Sequence, residues 1–471
     1  MKRINIFRST LTITLGAVFA VGCGNDFGPI EPRTPTADYE PPAALSSRSP
    51  VHILVMTEER RPSDDLLEDI AARGGTIVRN HDVIGVLSVA GLTDGDAEQL
   101  ALRGDVDGID RDQEIQWLPP GERHPQVITF DQDNPQDALA FDQYQWNMRQ
   151  INADDAWAVT PKGEGALVCV LDTGVDPEHI ELAGIVDLER STSFVPSEPF
   201  IEDGAFHGTF VSALIAGNAL VMAPVAPKAS LCAVKVLRSV TTEDGEAGTG
   251  SFDWLISGIL YAASVDADVI NMSLGAVVPK REAFQLVIAL QRAILYAVAH
   301  GVLPVAATGN DGLNLDENRD LIAIPAQLLG VVAVSATAPT NQMNFDEVTG
   351  YSNIGRRLVD IAAPGGDFIE GLSVEEDLIL SACTRFLCGS NQGYLIGAGT
   401  SFAAPHVAAA AAVVESTVPG DQHGLWLHAC LVHGADQIDG KPLSPLYGRG
   451  RLDVLDAVSR FGCGKHQLAQ N

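Results

Sequence analysis

The sequence is poor in basic residues. It has 30 Lys and Arg against 61 Asp and Glu, for a formal net charge of −31. Nucleic-acid phosphates are held by clustered cations, so this balance excludes a nucleic-acid partner. Internal repeats are absent, and no set of Cys and His has the spacing of a zinc site. The apolar run near the N-terminus, Leu11 to Val21, is short for a membrane span. What is present suits a large globular domain with smaller parts: 471 residues, 46% hydrophobic and 19% charged.

Lys2, Arg3 and Arg8 precede or open that apolar run, so residues 1–22 read as an export signal. The run closes with Phe19-Ala20-Val21-Gly22-Cys23. Small residues just before a cysteine resemble the lipobox of bacterial lipoproteins. That resemblance implies a lipid on Cys23 and a chain tethered in the cell envelope, or secreted after processing. Residues 23–50 are rich in Pro, Ser, Thr and Ala and read as a flexible tether. An exported chain meets oxidising conditions, so disulfides are expected. Cys383 and Cys388 flank a short loop and make the first pair; Cys430 with Cys463 makes the second. Cys169 and Cys232 lie in apolar strand-like runs and are expected as buried free thiols.

Residues 51–117 read as a small α/β domain. Strands are expected over 51–56, 76–79, 83–89 and 106–117, and helices over 63–73 and 93–102. The order β-α-β-β-α-β is ferredoxin-like. Residues 118–143, with Pro119-Pro120 and several Asp and Gln, read as a linker open to cleavage. From 144 to 471, apolar strands at 167–171, 231–237, 269–272, 303–307 and 331–336 alternate with helices such as 252–265 and 282–300. Alternation of this kind predicts a mostly parallel sheet covered by helices on both faces.

Three blocks carry candidate chemistry. Leu167 to Leu171 ends in Asp172-Thr173-Gly174, at the carboxyl edge where open α/β sheets place their sites. His207-Gly208-Thr209 opens an apolar helix. Gly399-Thr400-Ser401-Phe402-Ala403-Ala404-Pro405-His406-Val407 leads into a second helix, Ala403 to Val414, apolar all round and hence buried. Each polar residue read alone is a cap or a turn former. Together they supply an acid, a base and a hydroxyl in the order Asp, His, Ser. Serine needs a base to take its proton, and imidazole needs a carboxylate to fix its tautomer.

These blocks closely resemble the motifs of the subtilases, the subtilisin-like serine peptidases, over roughly residues 144–460. The resemblance implies an α/β fold of subtilisin type with a small ferredoxin-like propeptide domain ahead of it. It implies that Asp172 orients His207, that His207 acts as base and then acid, and that Ser401 is the nucleophile. Val305-Ala306-Ala307-Thr308-Gly309-Asn310 looks like the family's oxyanion segment, with Asn310 as donor. Asn271-Met272-Ser273-Leu274-Gly275 looks like the edge that pairs with substrate. Ser273, Leu274, Gly275, Ala306, Gly309 and Ala323 would line the substrate cleft; none is charged, which points to an apolar or broad preference. The Ile324–Pro325 bond is expected to be cis. Position and pattern make residues 51–117 resemble the family's propeptide, an intramolecular inhibitor removed by self-cleavage within 118–143. Polypeptides are the implied substrates, and no cofactor is required. Gly217 to Pro227, after the His207 helix, lacks the acidic residues of the family's strong calcium loop. The acids of 311–320 offer oxygen ligands, but calcium is not assigned to them.

The alternative is a catalytically silent binding protein on the same scaffold. An α/β-hydrolase esterase does not fit, because G-x-S-x-G is absent around Ser401 and the residue order differs. Phe402 stands where many subtilases carry Met and lacks an oxidisable thioether. Peroxide should therefore inactivate this protein more slowly than a Met-bearing subtilase, measured as parallel inactivation time courses; equal rates would contradict the reading.

Overall fold

The computed structural model describes residues 47–56, 61–118, 128–129, 139–242, 245–369, 371–418 and 424–459. The expected export signal, Cys23 and most of the 118–143 linker lie outside these residues. Among the described residues, no helix is long and apolar enough to cross a membrane.

The small domain contains β1 (Ser47–Met56), α1 (Asp64–Ala72), β2 (Thr76–His81), β3 (Val86–Ala90), α2 (Asp94–Leu100) and β4 (Val106–Leu118). Both helices start where side chains cap them. Ser63 accepts from the Leu66 N–H, and Thr93 forms a capping box with Asp96. The strands pair in the order β2-β3-β1-β4, all antiparallel. β1 explains its own unbroken apolar sequence. Leu54 and Met56 pack with Leu66, Ile70 and Leu100 of the domain's helices. Ile53 and Val55 face the opposite way, into a core shared with the large domain. Burial on both faces leaves no polar alternation to read.

The large domain is built on a sheet ordered 343–348, 332–340, 303–307, 269–272, 167–172, 230–235, 192–193. Its pairings are parallel except at the edge strand Met343–Val348. Alternate residues of Leu167–Asp172 serve two cores. Val168 and Val170 pack toward helices His207–Ile215 and Thr400–Glu415. Leu167, Cys169 and Leu171 pack toward Phe252–Ser264 and Phe284–Ala299. The expected parallel, doubly covered α/β sheet is thus present.

Two features join the domains. β4 pairs antiparallel with Gly245–Ser251, which pairs in turn with Arg238–Thr242, so one six-stranded sheet runs across both domains. β4 also places carboxylates on two helix starts. Asp112 accepts from the Phe252 N–H at 3.1 Å, and Asp110 accepts from the Gln285 N–H at 3.0 Å. Helix N-termini carry partial positive charge and unpaired donors, so both contacts favour docking. Burial, helped by neighbouring Asp253, pushes the Asp112 carboxyl up to about 7.

The thiol expectation needs correction. Cys169 and Cys232 are not free: they form a disulfide between adjacent parallel strands, directly opposite one another in register. Cys383 and Cys388 pair as expected. Cys430 is also disulfide-bonded, while Cys463 lies outside the described residues. The Cys169–Cys232 bond closes a sequence separation of 63 residues. Loop-closure entropy for such a span gives about 4 kcal/mol of stabilisation. Replacing both residues by Ala should lower unfolding stability by up to that amount in urea melts of a Ser401→Ala background. No change in the midpoint would contradict this.

Candidate active site

The Leu167–Asp172 strand delivers Asp172 to the carboxyl edge of the sheet, as expected. Its chain continues through Gly174, whose φ of +112° suits glycine. Helix His207–Ile215 begins beside this turn, with Phe206 in the left-handed region ahead of it. The two segments touch at Gly208: a Cβ there would lie 2.0 Å from the Gly174 carbonyl oxygen. This close approach brings His207 to Asp172. The His207 Nδ1 lies 2.8 Å from Asp172 Oδ1 and 3.0 Å from Oδ2, and both side chains are buried. Since a carboxylate accepts, Nδ1 carries the proton and Nε2 is the basic nitrogen. The Thr173 N–H donates to Asp172 Oδ1 at 2.7 Å and fixes the carboxylate plane.

The serine helix spans Thr400–Glu415, three residues earlier than the Ala403 start expected. Gly399 is its N-cap, so neither Thr400 nor Ser401 caps it. Ser401 instead lies within the first turn and is buried. Its carbonyl would normally accept from the residue four ahead, but that is Pro405, which has no N–H. The Ser273 hydroxyl supplies the missing donor at 2.6 Å, and the Asn271 Nδ2 donates to Ser273 in turn. Ser273, expected to line the substrate cleft, is fully buried and pins the backbone of Ser401.

Asn310 is half-buried at the end of strand Leu303–Ala307 and its turn. Its Oδ1 accepts from the Thr400 N–H at 2.9 Å and from the Thr400 hydroxyl at 2.7 Å. The amide oxygen is thus committed to the helix start, which turns the NH2 end the other way. Gly309, with φ +98°, has no room for a side chain: a Cβ would lie 2.5 Å from Asn353 Nδ2. Asn353 ties the same turn through Thr308, Asp311 and Leu313.

Phe402 packs between the two helices. Its ring lies 4.3 Å from that of Phe210 and 5.7 Å from that of His207. The histidine of the serine block has a different role. His406 Nδ1 donates to the Phe402 carbonyl, so its Nε2 accepts from Asn147. Burial pushes this imidazole down to about 4, which keeps it neutral inside the helix bundle.

The remaining predicted residues divide. Gly275 donates its N–H to the Trp117 carbonyl at 3.0 Å, so the end of β4 lies along this edge. The Trp117 indole donates to the Gly250 carbonyl at 2.9 Å, and its ring packs edge-on against Phe252. Leu274, Ala306 and Ala323 are buried in the core that holds Trp117, on the sheet face away from the serine helix; Ala307, rather than Ala306, faces that helix. Ile324–Pro325 is cis.

Among the buried ionisable residues that sequence reasoning missed are Asp203 and Lys235. Asp203 accepts from Thr173 and Thr209, and Lys235 Nζ donates to the Thr173 and Glu202 carbonyls. An acid four residues before the histidine was a visible signal, but Asp203-Gly204 reads equally as a turn. Among the described residues, the trio of acids with mutually close oxygens is Asp436, Asp453 and Asp456, not the acids of 311–320. Arg451 pairs with Asp436, and Asn152 donates to Asp453.

A subtilase family model matches residues 163–450, and the chain belongs to that family. It is a serine-type endopeptidase of the subtilisin-like class. Subtilisin NAT of Bacillus subtilis subsp. natto is 33% identical over 323 residues, covering 66% of this chain and 71% of that one. The major intracellular serine protease of Bacillus subtilis (strain 168) is 35% identical over 273 residues, covering 57% of this chain and 74% of that one. In structure, the chain is similar to the epidermin leader peptide processing serine protease EpiP of Staphylococcus aureus, with a TM-score of 0.69 at 22% identity. That likeness covers 88% of this chain and 98% of the other, and it concerns the fold.

The Gly208–Gly174 contact makes a sharp prediction. Gly208→Ala should push His207 away from Asp172 and lower turnover by at least about 10²-fold, since misplacement near 1 Å costs that much. Peptide hydrolysis by the folded variant measures it, and unaltered turnover would contradict the packing argument.

Proposed function

We propose that Asp172, His207 and Ser401 form the catalytic triad of this endopeptidase. The observation that carries the reading is the buried His207–Asp172 pair at 2.8 Å, with His207 on a helix packed against the one that holds Ser401. Ser401 Oγ attacks the scissile carbonyl carbon while His207 Nε2 takes its proton. Asp172 holds the Nδ1 proton and stabilises the imidazolium. The carbonyl oxygen becomes an oxyanion, which the Asn310 side-chain amide and the Ser401 N–H receive. Collapse breaks the C–N bond, and His207 returns the proton to the leaving amine. Water then attacks the acyl-serine by the reverse use of the same base, releasing the acid and restoring Ser401.

The small domain fits the role of a ferredoxin-like propeptide that inhibits its own peptidase. Support comes from the position of β4: its last residues occupy the Gly275 edge and pair with Gly248–Ser251, as an extended substrate would. Self-cleavage within 118–143, just past that strand, would separate inhibitor from enzyme. Export through residues 1–22 and lipid attachment at Cys23 complete the proposed life history, placing the enzyme in the cell envelope with polypeptides as substrates.

The test is precursor processing. Wild-type chain should convert to a shorter form whose new N-terminus, found by mass spectrometry, falls within 118–143. Ser401→Ala should stay uncut, and cutting of that variant at the wild-type site would overturn the self-processing reading. Asn310→Ala should process and still lose about 10²–10³-fold in turnover.

A further inference from the structure

Asp203 is fully buried in the loop ahead of the His207 helix, and three donors converge on it. The Thr173 hydroxyl donates to Oδ1 at 2.8 Å. The Thr209 N–H and hydroxyl donate to Oδ2 at 2.8 and 2.6 Å. Each threonine passes the contact on. Thr173 Oγ1 accepts from the Gly208 N–H at 3.0 Å, and Thr209 Oγ1 accepts from the Asp176 N–H at 2.9 Å. A hydroxyl has one proton, and the Thr173 oxygen lies closer to Asp203 than to Asp172, at 2.8 against 3.2 Å. Its proton therefore belongs to Asp203. One carboxylate thus ties the loop 172–176 to helix residues 207–209 at two points.

These partners are all donors, which matches an ionised carboxylate, an acceptor at every lone pair. Burial holds this carboxyl above the usual carboxylate range, the threonine donors offset only part of that rise, and neighbouring Asp172 adds to it. A buried negative charge beside a second one is costly unless it is compensated. The three donors supply that compensation, and the neighbouring strand ends in the buried cation Lys235, opposite Asp172 in register. Its Nζ donates to the Thr173 carbonyl at 2.6 Å and the Glu202 carbonyl at 3.0 Å, and lies 3.3 Å from Glu198. The charged and titratable groups around this knot are Asp172, Asp176, Glu198, Lys235 and His207, with Arg385 on Asp176.

We propose that Asp203 is a positioning residue for the reaction: it sets the register of the Asp172 loop against the His207 helix start and adds a negative charge behind the Asp172–His207 pair. This rests on the triad reading. The position and the charge have separate consequences. Register decides how often Asp172 and His207 are aligned, which affects turnover rather than substrate binding. The added charge stabilises the imidazolium, so it raises the pH at which His207 becomes the neutral base.

The experiment compares Asp203→Asn, Asp203→Glu, Thr173→Val and Ser401→Ala, each expressed as the full chain and assayed on a peptide substrate across pH. In Asp203→Asn, kcat should fall by roughly 10²-fold with KM little changed, because alignment is lost and binding is not. The acid limb of kcat/KM, which reports the free enzyme's base, should move to lower pH. Asp203→Glu keeps the charge and should hold the limb near its wild-type position. Thr173→Val cuts the link to the acid loop but leaves the charge, so it should lower kcat without moving the limb. An unmoved acid limb in folded Asp203→Asn overturns the proposal, as does full kcat in that variant. If Asp203→Asn does not fold, Thr173→Val decides, and unaltered kcat there overturns it. Activity that survives in Ser401→Ala overturns the triad reading itself, and this proposal with it.

Discussion

The hydrogen bond between Asp172 and His207 depends on two backbones coming closer than side chains allow. Asp172 ends a strand and His207 begins a helix, and neither element can shift without unpacking a core. The glycines at 174 and 208 let the segments meet, and the Thr173–Asp203–Thr209 contacts hold them there. The rest of the site is arranged around this meeting. Phe402 wedges the serine helix against the histidine helix, while Ser273 and Asn310 hold its first turn from the other side.

Pro405 shows how the site uses a defect. A proline in the second turn removes the donor for the Ser401 carbonyl, a loss that would ordinarily strain or fray the helix. Here the gap admits the Ser273 hydroxyl, which couples the serine to the strand edge along which β4 lies. The backbone of Ser401 is therefore connected to the edge that a polypeptide would occupy. In the proposed reaction, peptide binding and placement of the serine would share one set of contacts.

Much of this was legible in the sequence because it rests on local patterns. The alternation of apolar runs predicted the parallel sheet, Ser63 and Thr93 marked helix starts, and the three motif blocks located Asp172, His207 and Ser401 at element ends. What escaped depends on which strands become neighbours. Cys169 and Cys232 look alike in two apolar runs, but nothing local says that those strands are adjacent and in register. The paired strands Arg238–Thr242 and Gly245–Ser251 are rich in Thr, Gly and acids, so they carry no strand signal, yet they link the two domains. Asp203 and Lys235 were unreadable for a related reason. Charged residues are read as surface, and their burial makes sense only when three separate segments converge.

The central claim is that the hydroxyl of Ser401, beside the Asp172–His207 pair, is the nucleophile. The most direct measurement is peptide mapping of the processed protein after reaction with a fluorophosphonate. The account predicts a single phosphonyl adduct on Ser401. An adduct on a different residue, or none on a processed and folded chain, would contradict it.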